Sequence, residues 1–137
     1  VSYAVFVVVP GLVHRMGHGS DGTKAWSTLR RRLPDAVWEG DRLVCPGGVL
    51  EALDWLKEPV DGMQLAAAVC APSVWFEGQP AGLEAHLGRR AAALARVGEV
   101  LLTPGVDEVV DGVGLFDAPG ALVEAVGCPV RVARDYR

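Results

Sequence analysis

Cysteine is scarce in this chain, and the three present, Cys45, Cys70 and Cys128, lie far apart. An odd, scattered set makes neither a disulfide framework nor a C-x-x-C metal knuckle, so a reducing compartment is the default and the cytoplasm the expected location. Positive charge is also short: 13 Lys and Arg stand against 17 Asp and Glu, a net of -4. No face then supplies the cationic excess that phosphate backbones need, and no nucleic-acid partner is expected. The one basic cluster, Arg30-Arg31-Arg32, falls at the end of a predicted helix, where cations suit the dipole. No apolar run is long enough to cross a bilayer, so no membrane is expected. Val1 to Val9 has no basic flank or small-residue cleavage site and is expected to be a strand, not a signal peptide. Neither G-x-G-x-x-G nor G-x-x-x-x-G-K-[ST] occurs, so no nucleotide is expected. There is no repeat, low-complexity stretch or linker, and residues 1–137 are expected to form a single α/β domain.

What the chain does have is apolar residues, 50% of the total. Tyr3 to Val9 is a continuous β-branched run closed by Pro10-Gly11, the pattern of a central strand buried on both faces. A Gly- and His-rich loop follows, from Pro10 to Thr23. Ala25, Trp26, Leu29 and Leu33 then recur at helical spacing until Pro34, with Asp21 or Thr23 as the cap. Val37 to Cys45 holds a second strand, placed at its Arg42-Leu43-Val44-Cys45 end, and Val49, Leu50, Leu53 and Leu56 predict a short helix. Met63 to Cys70 predicts a third strand, Pro72 to Pro80 a long loop around Trp75-Phe76, and Leu83 to Ala95 a third helix. Glu99 to Leu102 predicts a fourth strand. Val106 to Phe116 fits short strands around Asp111-Gly112, and a last helix ending at Gly127 precedes a strand at Val130 to Ala133. The alternation implies a three-layer α/β/α domain with a largely parallel sheet of about five strands. In such sheets ligands bind beyond the carboxyl ends of the strands. The loops Pro10–Ser20, Pro46–Gly48, Ala71–Pro80 and Thr103–Glu108 are therefore expected along one edge.

Within those loops a few residues are chemically competent. His14, His18 and Asp21 suit a borderline metal such as zinc or nickel; the alternative is a solvated loop with Asp21 as a cap. His86, early in the third helix, approaches them if that helix starts beneath the same edge, and is otherwise an exposed helix residue. Cys70 ends the central strand, where a thiolate near a helix N-terminus is a nucleophile; the alternative, a small buried hydrophobe, is favoured by the Ala71-Pro72 that follows. Pro46-Gly47-Gly48 would let backbone approach a ligand. Trp75-Phe76 would either close over a site or make a partner surface.

In order along the chain, these motifs resemble the hydrogenase maturation endopeptidase family. Gly11 to Met16 with Gly19-Ser20-Asp21-Gly22 is similar to that family's first loop, and Cys45-Pro46-Gly47-Gly48 to its Gly-Gly turn. Gly78 to Gly82 is similar to its Gly-Pro-Gly loop, and His86-Leu87-Gly88 to its His-bearing helix. Gly105-Val106-Asp107-Glu108 and Gly112-Val113-Gly114-Leu115 match its closing segments. The resemblance implies nickel-dependent removal of a C-terminal peptide from a metalloenzyme large subunit, with Asp21 and His86 as metal ligands and a protein substrate. The family's central Asp is missing, since Ala67, Ala68 and Val69 stand there; His14, His18 or Cys70 would have to substitute. An inactive relative, or a partner-binding or assembly domain of the same fold, is the alternative. Gly17-His18-Gly19-Ser20 with His86 also resembles the small sirohydrochlorin or cobalt chelatases. Asp41 to Gly48 with Ala67 to Pro72 resembles the DJ-1 and PfpI cysteine hydrolases.

Overall fold

The computed structural model describes residues 2–10 and 20–137, excluding the side chains of residues 20–23, 25 and 26. Strand β1 (Ala4–Val8) is the spine. Ala4, Val5, Phe6 and Val7 are all fully buried, as expected of a β-branched run with apolar cover on both faces. Helix α1 (Ser20–Arg32) stops short of Pro34 and is followed by β2 (Val37–Glu39) and β3 (Arg42–Pro46). Then come α2 (Val49–Leu56), β4 (Ala66–Cys70), a small hairpin β5 (Val74–Phe76) and β6 (Gln79–Ala81), and α3 (Leu83–Leu94). The chain closes with β7 (Val100–Leu102), β8 (Val113–Asp117), α4 (Gly120–Val126) and β9 (Arg131–Asp135). None of these helices is long and apolar enough to cross a membrane.

Seven strands form one sheet in the order β2-β3-β1-β4-β7-β9-β8. Only β4 and β7 run parallel; every other neighbouring pair is antiparallel. The expected largely parallel, five-stranded sheet is thus corrected to a mixed, mostly antiparallel, seven-stranded one. The cause is local. The expected strand at Arg42 to Cys45 is present as β3, but Val37 to Glu39 before it forms β2 and the two make a tight hairpin: Gly40 takes φ +62, a left-handed turn conformation that glycine adopts without strain. Val8 consequently pairs with Arg42 and Ala4 with Pro46. A reversal the periodicity does not carry has turned β3 against β1.

Strand direction also decides what meets at each edge. Because β1 is antiparallel to β3 and β4, its carboxyl end lies beside Arg42 and Ala66. Pro46–Gly48, Ala71–Pro80 and Thr103–Glu108 instead gather at the opposite edge, where β1 begins. The single loop edge expected from sequence is therefore split in two.

The core has two layers. Val5, Val7, Leu43, Ala67 and Val69 face Leu29 of α1, Leu33 just after it, and Val49, Ala52 and Leu53 of α2. Ala4, Phe6, Val44, Ala68 and Cys70 face Ala85, Ala91 and Ala92 of α3 and Val126 of α4. The α3 face is built of small residues, Ala85, Gly88, Ala91 and Ala92, so the helix lies close on the sheet. A Cβ at Gly88 would stand 2.7 Å from Phe6 Cε2 and 3.0 Å from Cys70 Cβ. Cys70 is fully enclosed there.

Gly88→Val is therefore expected to destabilise the fold by about 1–3 kcal/mol through overpacking, more than the few tenths that leaving glycine gains in a helix interior. Urea unfolding followed by circular dichroism measures this; a variant as stable as the parent would mean that α3 has room to lift from β1.

Candidate functional site

The β2–β3 hairpin sets two charged side chains side by side. Glu39 pairs with Arg42 across the turn, so both project to one face, the face of Phe6, Val8 and α3. From α3, Arg89 reaches the same point. Its Nε donates to Glu39 Oε1 at 3.0 Å and its Nη2 to Glu39 Oε2 at 2.8 Å, the bidentate fork that a planar guanidinium offers a carboxylate. Nη2 also donates to the Pro80 carbonyl at 2.8 Å. Arg42 Nε donates to Glu39 Oε1 at 3.2 Å. The Arg89 guanidinium lies over the Phe6 ring, 5.2 Å from its centroid, a cation–π contact.

Two guanidiniums thus converge on one carboxylate with a net charge of about +1. Only 12% of the Glu39 side chain and 25% of the Arg89 side chain is exposed. The hydrogen bonds from Arg89 hold the Glu39 carboxyl below its ordinary range, against the opposing effect of burial. The same bonds raise Arg89 further above neutrality. Asp41 stands exposed in the turn beside this network.

At the opposite edge the Pro46-Gly47-Gly48 turn is closed by the chain itself. The Glu108 carboxylate accepts from the backbone N–H of Val49 at 3.2 Å and of Leu50 at 3.4 Å, and Glu51 accepts from Gly48 N–H at 3.1 Å. Carboxylates suit a helix N-terminus because its first N–H groups lack partners. A Cβ on Gly48 would overlap the Glu108 carboxylate, so the glycine serves an internal latch. Tyr3 donates to Asp107 alongside.

The residues singled out from sequence fall in different places. His14 and His18 lie outside the described residues. Asp21 is in the first turn of α1, and its side chain lies outside the description too. His86 is exposed in the first turn of α3. Helix α1 packs on one face of the sheet and α3 on the other, so Asp21 and His86 are carried by helices with the sheet between them. Cys70 is buried and its thiol is pushed up to about 12, chiefly by desolvation, which makes it a packing residue and not a thiolate. Among the described residues, no three His, Cys, Asp or Glu side chains stand close enough to share a metal ion. Sequence reasoning passed over Glu39, Arg42 and Arg89, although Arg89 follows His86 by less than one helical turn.

No family model matches the chain, and no curated protein matches it. Solved structures do. The adenylyl cyclase CyaB from P. aeruginosa superposes with a TM-score of 0.66 at 12% identity, over 99% of this chain and 94% of that one. The guanylate cyclase domain of RhGC from Catenaria anguillulae, in complex with GTP, gives 0.56 at 9% identity, over 99% and 97%. The catalytic core of a rhodopsin-guanylyl cyclase with converted specificity, in complex with ATPαS, gives 0.58 at 11% identity, over 99% and 95%. The likeness establishes a shared fold, that of nucleotide cyclase domains.

This overturns the resemblance to hydrogenase maturation endopeptidases, and with it the expected protease activity, the nickel or zinc cofactor and the maturation role. The partner-binding or assembly domain of that fold, the chelatase and the DJ-1-like hydrolase fall with it. Short Gly-, Ala- and Val-rich motifs match many α/β chains, whereas strand order and direction do not. The expectation of no nucleotide is corrected as well, since two of the matched domains hold GTP and ATPαS. A missing Walker loop excludes one kind of phosphate cradle only.

Glu39 stabilises the fold through its depressed carboxyl, so its contribution is complete above the ordinary value of 4.5 and is lost as pH falls through the lowered value. Glu39→Gln is expected to cost about 2 kcal/mol at pH 7, less than for a fully buried pair because the site is partly open to water. The gap to the parent narrows as the pH approaches 3. Parallel urea titrations at the two pH values check this; an equal gap at both would mean that the carboxylate charge contributes nothing.

Proposed function

We propose that this chain is a nucleotide-cyclase-type domain whose ligand is a purine nucleoside triphosphate, received at the Arg89–Arg42 pair. The observation that carries the reading is the convergence of two guanidiniums on a single carboxylate, within a fold shared with domains that hold GTP and ATPαS. A fold alone does not assign a ligand; the arginine pair adds the chemistry. A triphosphate carries several negative charges, and a guanidinium fork fits its oxygens as it fits a carboxylate. Arg89 is prepositioned by the Phe6 ring and the Pro80 carbonyl. Glu39 occupies the fork when no phosphate is present, and binding exchanges one anion for another while Glu39 turns to solvent. The exchange makes affinity sensitive to salt.

A second reading has a specific observation behind it. The likeness to CyaB runs over 99% of this chain and 94% of that one, which favours turnover as well as binding. In that case the same site would close the triphosphate to a cyclic nucleotide and release pyrophosphate.

Titration of fluorescently labelled GTP and ATP against the chain, with chromatography of the incubated unlabelled nucleotides, tests both readings. Arg89→Ala and Arg42→Ala are each expected to weaken binding about tenfold or more, the loss of one charge-assisted contact, with circular dichroism verifying the fold and Arg89→Lys recovering part of the loss. Absence of binding at millimolar nucleotide, or binding indifferent to both arginines, overturns the proposal. Cyclic nucleotide in the incubation, lost in the arginine variants, establishes the second reading.

A further inference from the structure

Strand β9 runs past the end of one neighbour. Its ladder with β7 begins where Val100 faces Ala133, whereas its ladder with β8 continues to Val113 facing Asp135. In an antiparallel strand the N–H and C=O of one residue point the same way, and successive residues alternate. Tyr136 donates its N–H to the Gly112 carbonyl at 2.7 Å, on the β8 side. Asp135 therefore turns its N–H and C=O to the β7 side. By register the residue that would meet them is Gly98. Gly98 instead takes φ +76 and gives its N–H to the Leu65 carbonyl at 2.7 Å. The ladder stops one hydrogen-bonded pair short, and Asp135 presents a backbone donor and acceptor side by side in the gap.

That gap is a cavity of about 510 Å³, within the size range of small-molecule sites. Leu53 and Leu56 line it from α2, Val97 from the α3–β7 loop and Ala133 from β9. Val97 is 54% exposed, an apolar side chain at the rim. The charges around the cavity are matched within the chain. Lys57 Nζ lies 3.6 Å from the carboxylates of both Asp54 and Asp135, and Arg137 Nη2 lies 2.8 Å from the same two. Glu99 accepts from the Arg96 N–H at 3.0 Å, and the Arg134 guanidinium lies over the Phe116 ring. A charged ligand would have to displace one of these partners; a neutral one would not. A single donor–acceptor pair is also too little for an added peptide strand, whose affinity comes from a row of main-chain bonds. It suits a compact molecule with its own acceptor and donor on one edge of a flat apolar body.

We infer that this gap is a binding site for a neutral, planar lactam. The ring C=O of the ligand accepts from the Asp135 N–H, its ring N–H donates to the Asp135 C=O, and its apolar body packs on Leu56 and Val97. Three strands, β1, β4 and β7, separate β9 from the β2–β3 hairpin, about 19 Å at ordinary strand spacing. Helices α2 and α3 also lie on opposite faces of the sheet. The site is therefore distinct from the arginine–glutamate network, and its ligand is neutral where that network favours an anion.

Carbostyril, a benzo-fused lactam, is the probe, titrated into the chain and followed in assigned amide correlation spectra. The expected dissociation constant is about 1 mM or below, ordinary for a ligand of this size. The Asp135 amide proton moves downfield, and the Gly98 amide shifts with it. N-Methylcarbostyril keeps the ring system and loses the donor, and is expected to bind about tenfold more weakly, since it leaves the Asp135 carbonyl unmatched. Val97→Glu and Leu56→Gln are each expected to weaken carbostyril binding by a similar factor; the exposed position of Val97 makes its replacement harmless to the fold, which circular dichroism verifies. Millimolar GTP is expected to leave the carbostyril titration unchanged. No shift up to the solubility of the probe, equal binding of the N-methyl compound, binding unmoved by Val97→Glu and Leu56→Gln together, or competition by GTP overturns the inference.

Discussion

A single guanidinium, that of Arg89, joins four elements that the chain order keeps apart. It forks onto Glu39 of β2, bonds the carbonyl of Pro80 in β6 and lies over the ring of Phe6 in β1, all from a position on α3. The helix comes that close only because Gly88 sets it against Phe6 and Cys70. A side chain there would meet Phe6 and Cys70, the residues beneath the fork. Remove the fork and a carboxylate with little exposure loses its partner, the costly way to break an ion pair. Packing and electrostatics at this point are one constraint.

Strand direction gives the constraint its functional meaning. In a mostly antiparallel sheet the loops divide between two edges, and the two edges here are used differently. One is closed by the chain's own anions: Glu108 and Glu51 satisfy the N-terminus of α2, and Tyr3 holds Asp107. The other, beside the end of β1, holds cations in excess over the carboxylate between them. A helix N-terminus already occupied by a carboxylate has no need of a ligand anion. The proposed reading is that this arginine pair exchanges its carboxylate for a ligand phosphate.

Much of the core was legible in the sequence, for a physical reason. Ala4 to Val7 and Leu65 to Cys70 are buried on both faces, as their apolar composition implies, and the amphipathic segments became helices near their expected bounds, although α1 begins at Ser20, ahead of the expected cap at Asp21 or Thr23. What periodicity does not encode is direction. Gly40-Asp41 turns the chain just before the expected strand at Arg42 to Cys45, and β2 ahead of it is too short to show alternation. The β5–β6 hairpin was hidden similarly, since Pro80 in β6 argues against a strand, although Val74-Trp75-Phe76 before Glu77-Gly78 is a hairpin signal. Arg89 and Glu39 are 50 residues apart, and a helix arginine ordinarily reads as a solvated face. Histidines drew attention because they titrate near neutrality. The arginines needed the fold to bring them together.

One exchange is central to the proposed function, phosphate for the Glu39 carboxylate at the Arg89 fork. A crystal structure of the chain with a non-hydrolysable GTP analogue observes it directly. The predicted result is phosphate oxygens within about 3 Å of the Arg89 guanidinium nitrogens, the ordinary range for charge-assisted bonds, with Glu39 turned away and the Phe6 contact kept. Nucleotide bound elsewhere while Arg89 and Glu39 remain forked together would contradict it.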